Sequence, residues 1–212
     1  MKLSKRLKTI ADLIDTKKVI DIGCDHGYLD IYLTLYKDCT CIATDISSNA
    51  IKTCQDNISK YHLEDKIETY ITDGLNGINI TEDDALVLSG MGTKTIIDIL
   101  RNKKLSNTII ISSNNNLEEL RRFMVRIGYY IDNEIYIYEH NIHYVIIKFI
   151  KGYKEYNDYD YLLGPIAIKD NNYKTYILNH YNNIYNKIPK TNNDFKKYYQ
   201  NIINYVKINF KS

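Results

Sequence analysis

The chain has 212 residues, 44% hydrophobic and 25% charged, enough for one core of ordinary size plus an appendage and unlike a disordered composition. No apolar run approaches the roughly 18 residues of a membrane span. The charged N-terminus MKLSKRLKTIADLIDTKK lacks a signal peptide's apolar stretch, so a soluble, cytoplasmic protein with no membrane partner is expected. The formal net charge of +2 conceals a segregation: residues 1–18 carry +4, residues 165–212 carry +6 and the stretch between them −8. Basic flanks around an acidic middle suit a polyanion held by the ends; the plainer account is scattered surface lysine in a chain rich in Ile, Asn, Lys and Tyr. Cys24, Cys39, Cys41 and Cys54 form no CxxC pair, which points to reduced buried thiols rather than a zinc site or a disulfide framework.

Leu3, Leu7, Ile10 and Leu13 or Ile14 recur at helical spacing and predict an amphipathic N-terminal helix with Lys2, Lys5, Arg6 and Lys8 on its polar face. From Lys18 the pattern changes to short β-branched runs at Val19–Ile22, Thr40–Thr44, Lys66–Ile71, Ala85–Ser89 and Thr108–Ser112. Helical stretches alternate with them near 28–36, 48–61, 94–101 and 116–127, which predicts βαβ units on a parallel sheet. Two longer runs, Tyr129–Tyr138 and Ile142–Ile150, joined by Glu139-His140-Asn141, predict a hairpin that closes the sheet antiparallel. The fold class is therefore α/β, a Rossmann-like, mostly parallel seven-stranded sheet. Beyond Gly164-Pro165, Tyr173, Ile177, Tyr181, Ile184 and Ile188 form a helical stripe that Pro189 stops. Thr191 to Asp194 offer caps for a second helix striped by Phe195, Tyr199, Ile202, Val206 and Phe210. The pair reads as an antiparallel helical hairpin, or else as two helices packed back on the sheet domain. The expected division is 1–164 for the sheet domain with its basic N-terminal helix and 165–212 for the hairpin.

The chemistry concentrates at strand ends. Val19-Ile20-Asp21-Ile22-Gly23-Cys24-Asp25-His26-Gly27-Tyr28 reads as strand, glycine-bounded turn and helix start. Gly23 allows a ligand close to the backbone, and Gly27 lets the chain bend into a helix whose first N–H groups are unpaired. The spacing G-x-x-x-G differs from the G-x-G-x-x-G that makes room for a pyrophosphate. Asp21 and Asp25 would repel a phosphate and suit a cation, so a ligand with an amino-acid head and a sulfonium fits better than NAD. A tight turn without a ligand is the alternative. Asp45, followed by Ile46, ends the second strand about 20 residues further on, where a carboxylate can bind both ribose hydroxyls; an Asp there is also an ordinary cap. Asp73-Gly74-Leu75 closes the next strand, where Asp73 can accept from an adenine amino group, or form a simple Asp-Gly turn. Ser89-Gly90-Met91-Gly92-Thr93 ends the fourth strand. It lacks the Pro-Pro-aromatic box often used to methylate exocyclic amines, and its bare backbone can admit a flat base. A ring nitrogen with an in-plane lone pair needs no deprotonation before attack, which suits this loop.

Leu3-Ser4-Lys5-Arg6-Leu7, Asp21-Ile22-Gly23-Cys24-Asp25-His26-Gly27-Tyr28-Leu29, Asp73-Gly74-Leu75 and Gly90-Met91-Gly92 together resemble the bacterial tRNA (adenine-N1) methyltransferase family TrmK. By motif the resemblance covers residues 1–165, and by architecture it extends to the hairpin. It implies a class I Rossmann-like methyltransferase using S-adenosylmethionine to modify adenine 22 in the D-arm of tRNA, with no metal. On that resemblance Asp21, Gly23, Cys24, Asp25, His26, Gly27, Tyr28, Asp45, Ile46, Asp73, Gly74, Leu75 and Ser89 form the cofactor set. Asp25, Gly90 and Met91 face the reacting base; Lys5, Arg6, Lys8 and Asn114 contact RNA. The chain departs from the family at Cys24 (usually Ser), Gly27 (usually Ala) and Thr93 (usually Gly). It also carries Ser112-Ser113-Asn114 for Gln-Pro-Asn, where only Asn114 carries over.

Three other functions compete. An NAD-dependent oxidoreductase conflicts with the glycine turn and Asp25. A small-molecule methyltransferase leaves the basic ends without a purpose, and an idle RNA-binding protein would not need the Asp21, Gly23, Asp45, Asp73 series. Asp25 is either a cofactor or turn residue or a stabiliser of the cationic product ring, and His26 is the poorer proton acceptor. A monomer is expected.

Overall fold

The computed structural model describes residues 1–189 and 191–210. It divides into two compact units, Met1–Lys154 and Glu155–Ser212.

In the first unit the strands are β1 (Lys18–Ile22), β2 (Thr40–Asp45), β3 (Ile67–Ile71), β4 (Ala85–Ser89), β5 (Thr108–Ser113), β6 (Tyr129–Glu139) and β7 (Ile142–Lys151). The helices are α1 (Lys5–Leu13), α2 (Tyr28–Lys37), α3 (Ser48–Lys60), α4 (Thr93–Leu100) and α5 (Leu117–Arg126). Among the described residues they form a seven-stranded sheet in the order β3-β2-β1-β4-β5-β7-β6, with β7 antiparallel to both neighbours. The central strands carry Val19, Ile20, Leu86, Val87, Leu88, Ile109, Ile110 and Ile111, all without solvent exposure. Helices cover both faces of such strands, so they read as continuous apolar runs. The chain winds outward from β1 to β3, then returns to build β4 and β5 on the other side of β1. That reversal parts the loops after β1 and β4 and leaves a crevice at the carboxyl ends of the strands.

The hairpin between β6 and β7 turns on His140 and Asn141, both in the left-handed region at φ 50° and 63°. Two such residues match the twist of the flanking strands. α1 lays Ile10 and Ala11, with Ile14 just beyond, into the core. Ser4 caps it, its hydroxyl accepting from the Leu7 N–H at 3.2 Å. Two ion pairs fasten the antiparallel edge: fully buried Arg121 with Glu134 at 2.7 Å, and Lys148 with Asp15 at 2.7 Å.

The second unit holds α6 (Asp158–Leu163), a short 3-10 turn (Ala167–Lys169), α7 (Asn171–Lys187) and α8 (Asn193–Asn209). Lys174 Nζ donates to the Phe210 carbonyl at 3.0 Å, and the Tyr181 and Tyr199 rings meet at 5.9 Å. The start of α7 therefore lies beside the end of α8, an antiparallel hairpin. The sequence boundary at 164/165 falls later than the structural one because α6 belongs to this unit. Its Tyr159 ring stacks on Tyr205 of α8 at 3.8 Å. Lys190 and Lys211, counted in the basic tail, lie outside the described residues. Among the described residues no helix is long and apolar enough to cross a membrane. Nor, among them, do three or more His, Cys, Asp or Glu side chains gather where a metal could sit.

Candidate active site

The crevice is a cavity of about 460 Å³ lined by Arg6, Leu7, Asp21, Gly23 to His26, Tyr28, Leu29, Asp45 and Ser89 to Met91. One side comes from the turn after β1. Gly23 and Cys24 both donate their N–H groups to the Thr44 carbonyl, at 2.8 and 2.9 Å, which locks the turn to β2. Gly27 sits at φ 69° and begins α2, and a Cβ there would collide with Cys54 Sγ, so neither the backbone nor the space admits a side chain easily. Asp45 binds the two neighbouring turns together: its carboxylate accepts from the Asp25 N–H at 3.3 Å and from the Ser47 N–H at 2.8 Å. Asp25 itself takes a positive φ of 52°. Its side chain is 73% exposed and lies 3.6 Å from His26 Nε2, so it stands on the lip of the cavity.

Beneath this turn are two buried carboxyls. Asp21, 4% exposed, faces the cavity and forms no ion pair among the described residues. Burial pushes its carboxyl up to about 7, with the neighbouring Asp30 and the Arg6 charge pulling the other way and Asp45 adding to the rise. Asp30 is fully buried in α2, and neither carboxyl oxygen reaches a partner at hydrogen-bond length among the described residues. Burial, then the Asp21 charge, hold it well above the ordinary carboxylate range. The Cys24 thiol is likewise pushed up, first by Cys54 and then by burial, so it stays protonated.

The opposite side is the loop after β4. A Cβ on Gly23 would lie 3.4 Å from Met91 Cε, so the two sides meet at the floor. Thr93, where the resembled family has glycine, is fully enclosed. Its N–H donates to Asn115 Oδ1 at 3.1 Å, its hydroxyl donates to the Asn115 carbonyl at 2.7 Å, and that hydroxyl lies 3.1 Å from Ser113 Oγ. This network ties Gly90-Met91-Gly92 to the loop after β5.

The structure thus brings Asp21, Gly23, Cys24, Asp25, His26, Tyr28, Asp45, Ser89, Gly90 and Met91 around one space. Gly27 shapes the turn from behind. Ile46, 71% exposed, and Asp73 with Gly74 and Leu75 lie outside the cavity lining, at the ends of β2 and β3. Asn114 is exposed, and its neighbour Asn115 accepts from Thr93 at the end of the Gly-Met-Gly loop. Of the three basic residues assigned to α1, Lys8 is engaged with Asp12 and Lys5 is exposed on the surface. Arg6 turns inward instead, its Nη1 donating to Ser89 Oγ at 2.5 Å. Sequence reasoning missed Asp30 and Asn115, and also Glu139, which accepts from the Lys5 and Arg6 N–H groups, and Tyr144, whose ring lies beside the Arg6 guanidinium; only the family departure at Thr93 hinted at a compensating partner.

A glycine turn, an acidic strand end and an open crevice at the switch of an α/β sheet define a methyltransferase domain. A family model of that description matches residues 3–147. The putative tRNA methyltransferase MG248 of Mycoplasma genitalium is 34% identical over 192 residues, 84% of each chain. The tRNA (adenine(22)-N(1))-methyltransferase of Bacillus subtilis is 30% identical over 185 residues, 81% of this chain and 77% of that one. The structure of M. capricolum TrmK in complex with S-adenosyl-homocysteine is 30% identical with a TM-score of 0.85, covering 98% of this chain and 97% of the other. The chain belongs to the TrmK family of tRNA methyltransferases.

Proposed function

We propose that this protein transfers a methyl group from S-adenosylmethionine to N1 of adenine 22 in the D-arm of tRNA. The observation that carries the reading is the single cavity joining the acidic glycine turn to the bare Ser89-Gly90-Met91 backbone. The residues fit the cofactor: Asp21 is a buried carboxyl that forms no ion pair among the described residues, and Asp45 is fixed at the end of β2 with lone pairs to spare for ribose hydroxyls. Asp73-Gly74-Leu75, one strand further out, would read the adenine edge beside exposed Ile46. When bound, S-adenosylmethionine supplies an electrophilic methyl group on a sulfonium.

This chain's residues then have three tasks. The loop Ser89-Gly90-Met91 receives a base flipped from its stack, at a cost of a few kcal/mol. Its backbone carbonyls can accept from the adenine N6 amine, which disfavours guanine. Alignment of the N1 lone pair is the main catalytic demand, because no proton has to leave first. Asp25 at the lip offers negative charge to a ring that becomes cationic, and that charge gains weight once RNA excludes water from the lip. Lys5 and the lysines of the second unit would contact phosphates, each contact contributing about 0.9 to the salt slope on duplex regions. We read the enzyme as cytoplasmic and monomeric.

The test is transfer of labelled methyl to tRNA followed by nucleoside analysis. The expected product is 1-methyladenosine at position 22, and N6-methyladenosine would reject the reading of the Gly-Met-Gly loop.

A further inference from the structure

Arg6 lies among three cavity carboxylates, Asp21, Asp25 and Asp45, yet forms an ion pair with none of the described residues. Its side chain makes one hydrogen bond, from Nη1 to Ser89 Oγ at 2.5 Å, and Nε and Nη2 donate to nothing among the described residues. The guanidinium is half-buried, 3.6 Å from where a Cβ on Gly90 would stand and 5.3 Å from the centre of the Tyr144 ring. Its backbone is held as well. The Glu139 carboxylate accepts from the Lys5 N–H at 2.6 Å and the Arg6 N–H at 3.1 Å, which fixes the first turn of α1. A guanidinium fixed at root and tip, with two donor groups open, is arranged for an anion that arrives with the substrate.

We propose that Arg6 binds a phosphate that brackets the target adenosine, holding the flipped nucleotide at Ser89-Gly90, with Glu139 and Tyr144 as positioning residues. This rests on the N1-methylation reading and goes beyond a general basic surface, since it assigns one side chain to the target nucleotide's own backbone. The base itself is the poorer ligand. Methyl transfer to N1 leaves positive charge on the ring, and a cation bonded to that ring would oppose it. A phosphate beside the ring satisfies the guanidinium without that conflict.

The test is a cycle between protein and substrate, run on the full chain. Wild type and Arg6→Gln are assayed on tRNA with natural linkages and on tRNA with one methylphosphonate, placed on the 5′ or the 3′ side of the target adenosine. The expected result is a loss of kcat/KM of about tenfold to hundredfold for Arg6→Gln, the range for a hydrogen bond to a charged group. A similar loss is expected for wild type on one of the two neutralised substrates, with no further loss when the two changes are combined. Affinity for S-adenosylhomocysteine stays within about twofold, which also reports a folded cavity. Arg6→Lys recovers part of the loss. Glu139→Ala raises KM for tRNA while single-turnover rate at saturating tRNA holds, and Glu139→Gln, still an acceptor, restores KM. Additive losses, unchanged kinetics in Arg6→Gln, or a loss of S-adenosylhomocysteine affinity would each overturn the proposal alone. Absence of 1-methyladenosine from wild type on natural tRNA would overturn the parent reading instead.

Discussion

The two sides of the cavity differ in how far apart in the chain their contacts lie. On the glycine-turn side, Gly23 and Cys24 bind Thr44, Asp25 binds Asp45, and Asp45 binds Ser47, all across β1, β2 and the turns that follow them. On the Gly-Met-Gly side, Arg6 reaches Ser89 across 83 residues, and Lys5 and Arg6 reach Glu139 across 134 and 133. The first side is a local βαβ device, acidic and glycine-rich. The second is a tertiary assembly of an N-terminal helix, a strand end and a hairpin tip. A cofactor site and a substrate site can share one cavity and still answer to different parts of the chain, so changes on each side should separate in experiment.

The largest expected effect tests the acidic side. A carboxyl whose pKa rises on folding is stabilising below its unfolded value and loses that contribution as pH climbs through the folded one. With Asp21 pushed up to about 7 from an ordinary value near 3.8, its contribution should fall across that window at up to about 1.4 kcal/mol per pH unit. Denaturant titrations at several pH values should show the slope, and Asp21→Asn should reduce it, leaving the part that the raised Asp30 carboxyl contributes. If Asp21 meets the cofactor ammonium, affinity for S-adenosylmethionine should also rise as pH approaches 7.

Next, Asp45→Ala should cost about 1.5–3 kcal/mol of cofactor affinity, measured by calorimetry, because it removes charged hydrogen bonds. Unchanged affinity would move the ribose elsewhere. Gly27→Ala should then destabilise the fold by about 1–3 kcal/mol through overpacking, since the new Cβ would collide with Cys54 Sγ. Adding Cys54→Ala should recover much of that loss, and additive losses would mean the backbone at φ 69°, not the thiol, sets the cost. The smallest effect belongs to the other side. Ser4→Ala should cost about 1 kcal/mol through the lost cap of α1, with S-adenosylhomocysteine affinity unchanged; a parallel loss of that affinity would show the two sides to be one unit.

The same contrast explains what could be seen in the sequence. The α/β alternation, the antiparallel hairpin and the two-helix appendage follow from period and turn chemistry, and the bounds of their strands and helices agree with the structure to within a residue or two, although the second unit starts ten residues before the expected boundary. The glycine turn and Asp45 were legible because strand, turn and helix are contiguous there. Arg6 pointed the other way: on a helix wheel it belongs to a polar face, and only the fold places that face over Ser89. Asn115 was not legible, because only the fold brings the enclosed Thr93 hydroxyl onto its carbonyl. α6 was missed although Asn157 and Asp160 form a reciprocal cap, a pattern present in the sequence at helix-start spacing.

The grip of Glu139 on α1 also sets an order of assembly. The ends of that contact are 134 residues apart, and closing so long a loop carries an entropic cost that grows with the logarithm of its length. A chain leaving the ribosome presents β1 to β5 well before the β6–β7 hairpin exists, and a domain folds as a unit, so its closure waits for that hairpin. In that interval α1 has its Ser4 cap but not the Glu139 contact, so the backbone of Arg6 is not yet held from the hairpin. The last hairpin to be synthesised is thus the one that shapes the rim of the cavity.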